Sequence, residues 1–153
     1  MISIRHSTED EVSDLQHLNK EVFVDNATYD TDLDLTWAEG ERGKKYFSEL
    51  LHDIECVCFI AEDEGKKIGY LAAGPKLIDY RNSRYIEIQN MGVIPEYQSR
   101  GVGKQLMEAC LQWAKSQGYQ KAFVNAYIKN QRAIDFYKRA GFSEIDISLE
   151  KHL

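Results

Sequence analysis

Residues 95–109 read PEYQSRGVGKQLMEA, a proline and a polar turn, then two glycines one residue apart, then an apolar periodic run. The residue before a proline is held extended, so Pro95 closes a strand. The periodic run opens a helix, whose first turn offers free N–H groups and the positive pole of the helix dipole. Glycines at 101 and 103 let the backbone approach an anion with no Cβ in the way, and Arg100 and Lys104 add cations beside it. Two other phosphate motifs do not fit. The dinucleotide fingerprint needs a third glycine where Leu106 stands, and the P-loop needs Ser or Thr where Gln105 stands. A Gly-x-Gly at a helix start also suits a purely structural turn, so the rest of the chain has to decide.

Upstream, Ile2 and Ile4 alternate with polar residues as a first strand. Thr8-Glu9-Asp10-Glu11 reads as a capping box for a helix carrying Val12, Leu15, Leu18 and Val22 to about Val24. Residues 25–41 read as an acidic loop, and Gly43 to His52 as a second helix. Glu55 to Asp63 and Ile68 to Gly74 form a hairpin around Glu64-Gly65-Lys66-Lys67. In Arg84 to Val93 the alternation sets Ile86 and Ile88 on one face, with Tyr85, Glu87, Gln89 and Met91 on the other. Gly92 inside that strand predicts a bulge.

Downstream, the helix after Gly101 buries Val102, Leu106, Ala109, Cys110 and Trp113, and Gly118 stops it. Lys121 to Tyr127 is a strand, and Asn130 to Ala140 a helix ended by Gly141. Ser143 to Leu149 alternates as a last strand. The order β-α-α-β-β-β-α-β-α-β, without repeat or linker, makes residues 1–153 one α/β domain with a mixed, mostly antiparallel sheet flanked by helices.

The chain has 153 residues, 43% hydrophobic and 29% charged, an ordinary globular composition. A net charge of −6 argues against a nucleic-acid partner, which calls for a basic face. No apolar run reaches the roughly 20 residues that span a bilayer, and MISIRHSTEDEV lacks the regions of a signal peptide, so the expected compartment is the cytoplasm. Cys56, Cys58, Cys110 and four scattered histidines show no ligand spacing, and no metal is expected. Asp25, Asp30, Asp32, Asp34, Glu39 and Glu41 cluster without an intervening cation. Such a run is either a solvated face or, beside a cleft, an attractor for a cationic substrate.

The stretch NMGVIPEYQSRGVGKQLM resembles the signature of the GNAT superfamily of N-acetyltransferases, with Gln98, Gly101 and Gly103 at its motif positions. A second block of that family is matched by Asn130, Ala133, Tyr137, Gly141 and Phe142, and the element order is similar throughout. The resemblance implies acetyl-CoA as co-substrate. Backbone amides of Ser99, Arg100, Gly101, Val102, Gly103 and Lys104 would hold its pyrophosphate. Met91, Gly92 and Val93, where the fourth strand parts from the fifth, would pair with the pantetheine arm, and Asn130 would contact that arm or cap its own helix.

Attack of an amine on a thioester needs a base, an oxyanion donor and an acid for the departing thiolate. The resemblance points to Glu87 as base, directly or through a water, and to Tyr137 as acid; Glu87 as the polar side of a strand and Tyr137 as a packing residue are the plain alternatives. Backbone N–H groups near Met91 would serve the oxyanion.

Only about ten residues follow Phe142, fewer than many members of the family carry. That leaves the acceptor side open to completion by a second subunit, as a homodimer. The acidic loop with Tyr29 and Trp37 suits a small cationic amine such as a polyamine or aminoglycoside. A peptide or protein amine is the other enzymatic reading, and an acyl-CoA-binding sensor that has lost catalysis is the reading from another class.

Overall fold

The computed structural model describes residues 1–153. Its alternating segments join one sheet in the order β1-β2-β3-β4-β5. β1 (Ile2–His6), β2 (Val57–Asp63), β3 (Lys66–Lys76) and β4 (Tyr85–Val93) are successive antiparallel neighbours, and β5 (Lys121–Val124) lies parallel to β4. The hairpin between β2 and β3 closes on Glu64 at φ +48° and Gly65 at φ +85°, the left-handed pair that a two-residue turn needs. Both faces of β2 and β3 are buried, because each face carries helices. α1 (Val12–Asn26) and α2 (Glu41–His52) cover one face, where Leu15, Leu18, Phe47, Ile60 and Tyr70 form a core. α3 (Val102–Ser116) covers the other, with Leu71, Ile86, Ile88, Leu106 and Cys110. α4 (Gln131–Arg139) lays Phe136 and Tyr137 against that second core.

Glu11 does reach back to the Thr8 N–H, at 2.8 Å. It ends a 3-10 turn, Glu9–Glu11, that precedes α1. The same buried carboxylate takes Arg5 Nη2 at 2.6 Å, fastening the start of α1 to β1.

The β3–β4 register corrects two sequence expectations. Ala72 stands opposite Asn90 and Ala73 opposite Ile88, so Gln89 is the extra residue and the bulge lies there rather than at Gly92. A bulge shifts the alternation by one residue. Beyond it Met91 therefore joins Ile86 and Ile88 on the α3 face, not Glu87 on the opposite one. Gly92 pairs regularly with Tyr70. A Cβ there would lie 2.5 Å from Val22 Cγ2, so this glycine admits α1.

β4 and β5 pair only over Tyr85–Ile88 and Lys121–Val124. Past Ile88 the two strands part. The expected last strand does not form. Residues 143–153 have no regular structure, and Ile145, Ile147 and Leu149 are exposed. Alternation makes a strand only where a ladder partner is taken, and residues 143–153 pair with none of the five strands, leaving the outer edge of β5 open.

Candidate active site

The glycine turn follows a short 3-10 turn, Pro95–Tyr97. Ser99 at φ +62° and Gly101 at φ +80° bend the chain into α3. The first backbone bond of that helix runs from Gln105 N–H to Gly101 O at 3.1 Å. Every backbone N–H from Ser99 through Lys104 is left without an intramolecular partner. A row of free donors at a helix N-terminus fits a phosphate. Arg100 stands beside it over the Tyr97 ring at 5.0 Å, and Lys104 is exposed with Glu108 at 3.8 Å.

Gln98 ties three elements together. Its Nε2 donates to Val93 O at 2.9 Å, and its Oε1 accepts from Arg132 Nη1 of α4 at 2.9 Å. Gly103 lies against the same helix, since a Cβ there would stand 3.4 Å from the Phe136 ring and 3.8 Å from Met91 Cε. Asn130 caps α4, its Oδ1 accepting from Ala133 N–H at 3.1 Å. Tyr137 packs between Phe136 and Phe142, at 5.4 and 5.9 Å between ring centroids. Burial pushes its phenol up to about 12, and its hydroxyl makes no hydrogen bond within the chain.

On the α1/α2 face a cleft of about 350 Å³ opens between α1, the loop after it, α2 and the bulge of β4. Phe23, Trp37 and Tyr46 form one wall, with Phe23–Trp37 stacked at 5.5 Å and Trp37–Tyr46 tilted at 5.7 Å. The floor is a chain of amides and phenols. Asn19 Nδ2 donates to Tyr70 Oη at 2.8 Å and to Asn90 Oδ1 at 3.3 Å. Asn90 Nδ2 donates to Tyr46 Oη at 3.0 Å, and the Tyr46 hydroxyl donates to Gln89 Oε1. Asn19 Oδ1, buried, has no partner. The bulge at Gln89 is what turns both Gln89 and Asn90 toward this cleft.

The model of the acetyltransferase (GNAT) family matches residues 17–142. The chain belongs to that family. It is similar to an uncharacterized N-acetyltransferase of Methanocaldococcus jannaschii, 28% identical over 146 residues, which are 95% of this chain and 62% of that relative. The chain thus spans less than two thirds of that curated relative's length. Among solved structures it resembles a mutant of the BH1408 protein from Bacillus halodurans, with a TM-score of 0.84, 18% identity and 99% of both chains covered. It also resembles the aminoglycoside N-acetyltransferase AAC(6')-Iy in complex with a bisubstrate analog, CoA-S-monomethyl-acetylneamine. That likeness has a TM-score of 0.77 and 18% identity, over 100% of this chain and 98% of the other. At such identities these likenesses show the GNAT fold.

Within this GNAT domain the sequence-predicted residues fall into one group and one outlier. Val93, Gln98, Gly103 and Met91 are linked to one another through Arg132 and Phe136 of α4, the helix that Asn130 caps and that carries Tyr137. Glu87 stands apart. It sits in the part of β4 still paired with Phe123 of β5, on the side away from Ile86 and Ile88. Its Oε2 is 3.5 Å from Lys76 Nζ, and it does not line the cleft.

The acidic loop borders the cleft through Leu33 and Trp37, not through its carboxylates. Asp34 is held by Arg42, Glu39 by Lys20 at 2.8 Å, and Asp30 accepts from Tyr127 at 2.6 Å. Sequence reasoning missed Asn19, Tyr46, Asn90 and Tyr127. Asn19 did leave a signal, an amide at helical spacing within the apolar stripe of Leu15, Leu18 and Val22, where burial requires a partner.

Proposed function

We propose that this GNAT domain transfers an acetyl group from acetyl-CoA to a primary amine held in the cleft, by direct attack in a ternary complex. The observation that carries the reading is the row of unpaired N–H groups from Ser99 to Lys104, next to the point where β4 parts from β5. These donors, with Arg100 and Lys104 beside them and Gln98 bracing the turn against Val93 and Arg132, fit a pyrophosphate in a preformed anion cradle. Met91, Gly92 and Val93 lie on the strand edge that β5 has released, where an extended amide-bearing arm can pair with backbone. Asn130 caps α4, which is tied to this edge through Arg132 and Gln98.

Acetyl-CoA supplies the activated acetyl group and a thiolate leaving group. Tyr137 supplies a proton: its raised phenol stays protonated across neutral pH, and its hydroxyl has no competing partner. Glu87 is assigned the base role through a water. The residues lining the cleft include neither a carboxylate nor a histidine, and Glu87 is the carboxylate that β4 carries just ahead of the cleft residues Gln89 and Asn90. Backbone N–H groups near Met91 are the donors assigned to the oxyanion.

The acceptor is a free amine, on a small molecule or at a peptide terminus. The small polycation suggested by the acidic run loses support, because the carboxylates of that run are engaged elsewhere or lie off the cleft lining.

A thiol-release assay with acetyl-CoA tests the reading, using polyamines, aminoglycosides, amino acids, arylalkylamines and short peptides. Wild type is run beside Glu87→Gln and Tyr137→Phe. Amine-dependent release that drops in both variants is expected. Acetyl-CoA that fails to bind at all would sink the proposal, whereas binding with no release on any acceptor would favour the sensor reading.

A further inference from the structure

The cleft on the α1/α2 face differs in chemistry from the loop that borders it. The loop is acidic, yet the cleft has an aromatic and aliphatic wall, Phe23, Trp37, Tyr46, Val22 and Leu33, over a neutral floor of Asn19, Gln89 and Asn90. No lining residue carries a charge. Of the bordering carboxylates, Asp30 is engaged by Tyr127, Asp34 by Arg42 and Glu39 by Lys20, and Asp25 and Asp32 are not part of the lining.

A polycation entering this space would leave water with no counter-charge in the lining to meet its second ammonium, and desolvating an unpaired charge is strongly unfavourable. Aromatic faces offset only part of that loss. An apolar body gains on the same wall, because stacked rings recover the area removed from water. The floor is neutral as well, and the groups it presents to a ligand are the exposed Gln89 amide and the half-buried Asn90.

Resting on the reading of this cleft as the acceptor site, we propose that it selects amines carried on a large apolar or aromatic body with no second positive charge. Two sources share that chemistry, a free arylalkylamine and the N-terminal residue of a peptide with a large apolar side chain. The polar floor provides neutral hydrogen bonds to whichever is bound, and the wall of Phe23, Trp37 and Tyr46 sets the preference.

Trp37 reports on the cleft directly. The chain has one other tryptophan, Trp113, on α3 against Tyr119. Wild type and Trp113→Phe are therefore titrated with phenethylamine, the peptide Phe-Ala-Ala and spermidine, following fluorescence. Phenethylamine or the peptide is expected to half-saturate the Trp37 signal at a concentration at least tenfold below spermidine, and whichever of the two binds tighter identifies the source. Spermidine binding as tightly as either, or no ligand changing the Trp37 signal, would overturn the proposal.

Leu33→Asp gives the cleft the carboxylate it lacks, on an irregular surface segment that tolerates substitution. It should improve spermidine binding relative to phenethylamine about tenfold, and an unchanged ratio would also count against the proposal. Because the titration reads binding, it is independent of turnover. Selective binding without acetyl transfer would overturn the proposed enzyme and leave this selectivity standing.

Discussion

Tyr127, on the connection leaving β5, donates its hydroxyl to Asp30 Oδ2 at 2.6 Å, across 97 residues of sequence. Tyr29 stacks on the same ring at 6.2 Å. Tyr127 also lines the cleft, so these contacts fasten the loop between α1 and α2 to the segment that precedes α4. The hydrogen bond holds Asp30 below the usual carboxylate range, while burial, then the Asp30 carboxylate, push the Tyr127 phenol up to about 12. Tyr127 is thus a fixed donor at neutral pH and cannot serve as a base. Tyr127→Phe keeps the ring and removes the tie. The KM for the amine should rise about three- to tenfold, the effect of one hydrogen bond at a half-exposed site, with kcat preserved. A matching loss in kcat would instead give Tyr127 a part in the chemistry.

The two glycines of the turn have different reasons to be glycine, and substitution should separate them. Gly101 has φ +80° and open space where a Cβ would stand. Its requirement is conformational, so Gly101→Ala should cost about 1 kcal/mol of stability and weaken acetyl-CoA binding by tilting the N–H row. Gly103 is helical, and a Cβ there would meet the Phe136 ring at 3.4 Å, an ordinary packing contact. Gly103→Ala should therefore leave stability nearly unchanged, while its methyl crowds the approach of a phosphate to the N–H row. Denaturant midpoints and acetyl-CoA binding, measured on both variants, should rank them in opposite order; equal effects would mean that the turn responds as one rigid unit.

What was legible in the sequence follows from what each signal depends on. The hairpin at Glu64-Gly65, the cap at Asn130 and the helix after Gly101 depend on local backbone rules, and each appears where the residues put it. The bulge depends on pairing between strands. Gly92 carried the expected mark for it, but that glycine is required by Val22 of α1, a contact across the fold. The error then propagated, because one inserted residue at Gln89 reverses every side chain beyond it, Met91 included. The last strand failed for a related reason, since SEIDISL has the alternation but no partner. The cleft was half visible. Trp37 was placed in the acceptor region from sequence, whereas the amide floor joins Asn19, Tyr46 and Asn90 from three elements and has no local pattern. Charge misled most, because the acidic run reads as one field until Lys20, Arg42 and Tyr127 are seen to occupy it.

Glu11 gives the fold an acid-sensitive fastening. Its carboxyl is held down at about 2 from an ordinary value of 4.5, chiefly by the hydrogen bond from Arg5, with the Thr8 N–H assisting against its burial. A depressed folded value stabilises the native state above the unfolded value and is lost as pH falls through the folded one. Glu11 therefore contributes fully above about pH 4.5, and progressively less down to about pH 2. Glu11→Gln should cost about 2 kcal/mol at pH 7, because it leaves Arg5 with Glu62 alone on a partly buried network. Denaturation curves of wild type and variant should converge as pH is lowered toward 2. A gap of constant size across that range would show that the loss is one of packing and not of charge.

Tyr137 is the sharpest test of the chemistry, because its surroundings separate proton donation from packing. The ring is held by Phe136 and Phe142, contacts that phenylalanine would keep. Tyr137→Phe should leave stability and acetyl-CoA affinity nearly unchanged while kcat falls roughly 10²-fold or more, the range for loss of a positioned general acid. The pH profile sharpens the case. With the phenol at about 12, its ionisation should not limit wild-type activity anywhere below about pH 11. An alkaline limb in that range must come from another group, and the same limb should persist in the variant. If kcat were unchanged in Tyr137→Phe, the thiolate would have to leave without this proton, and Tyr137 would be a packing residue that happens to stand beside the parted strands.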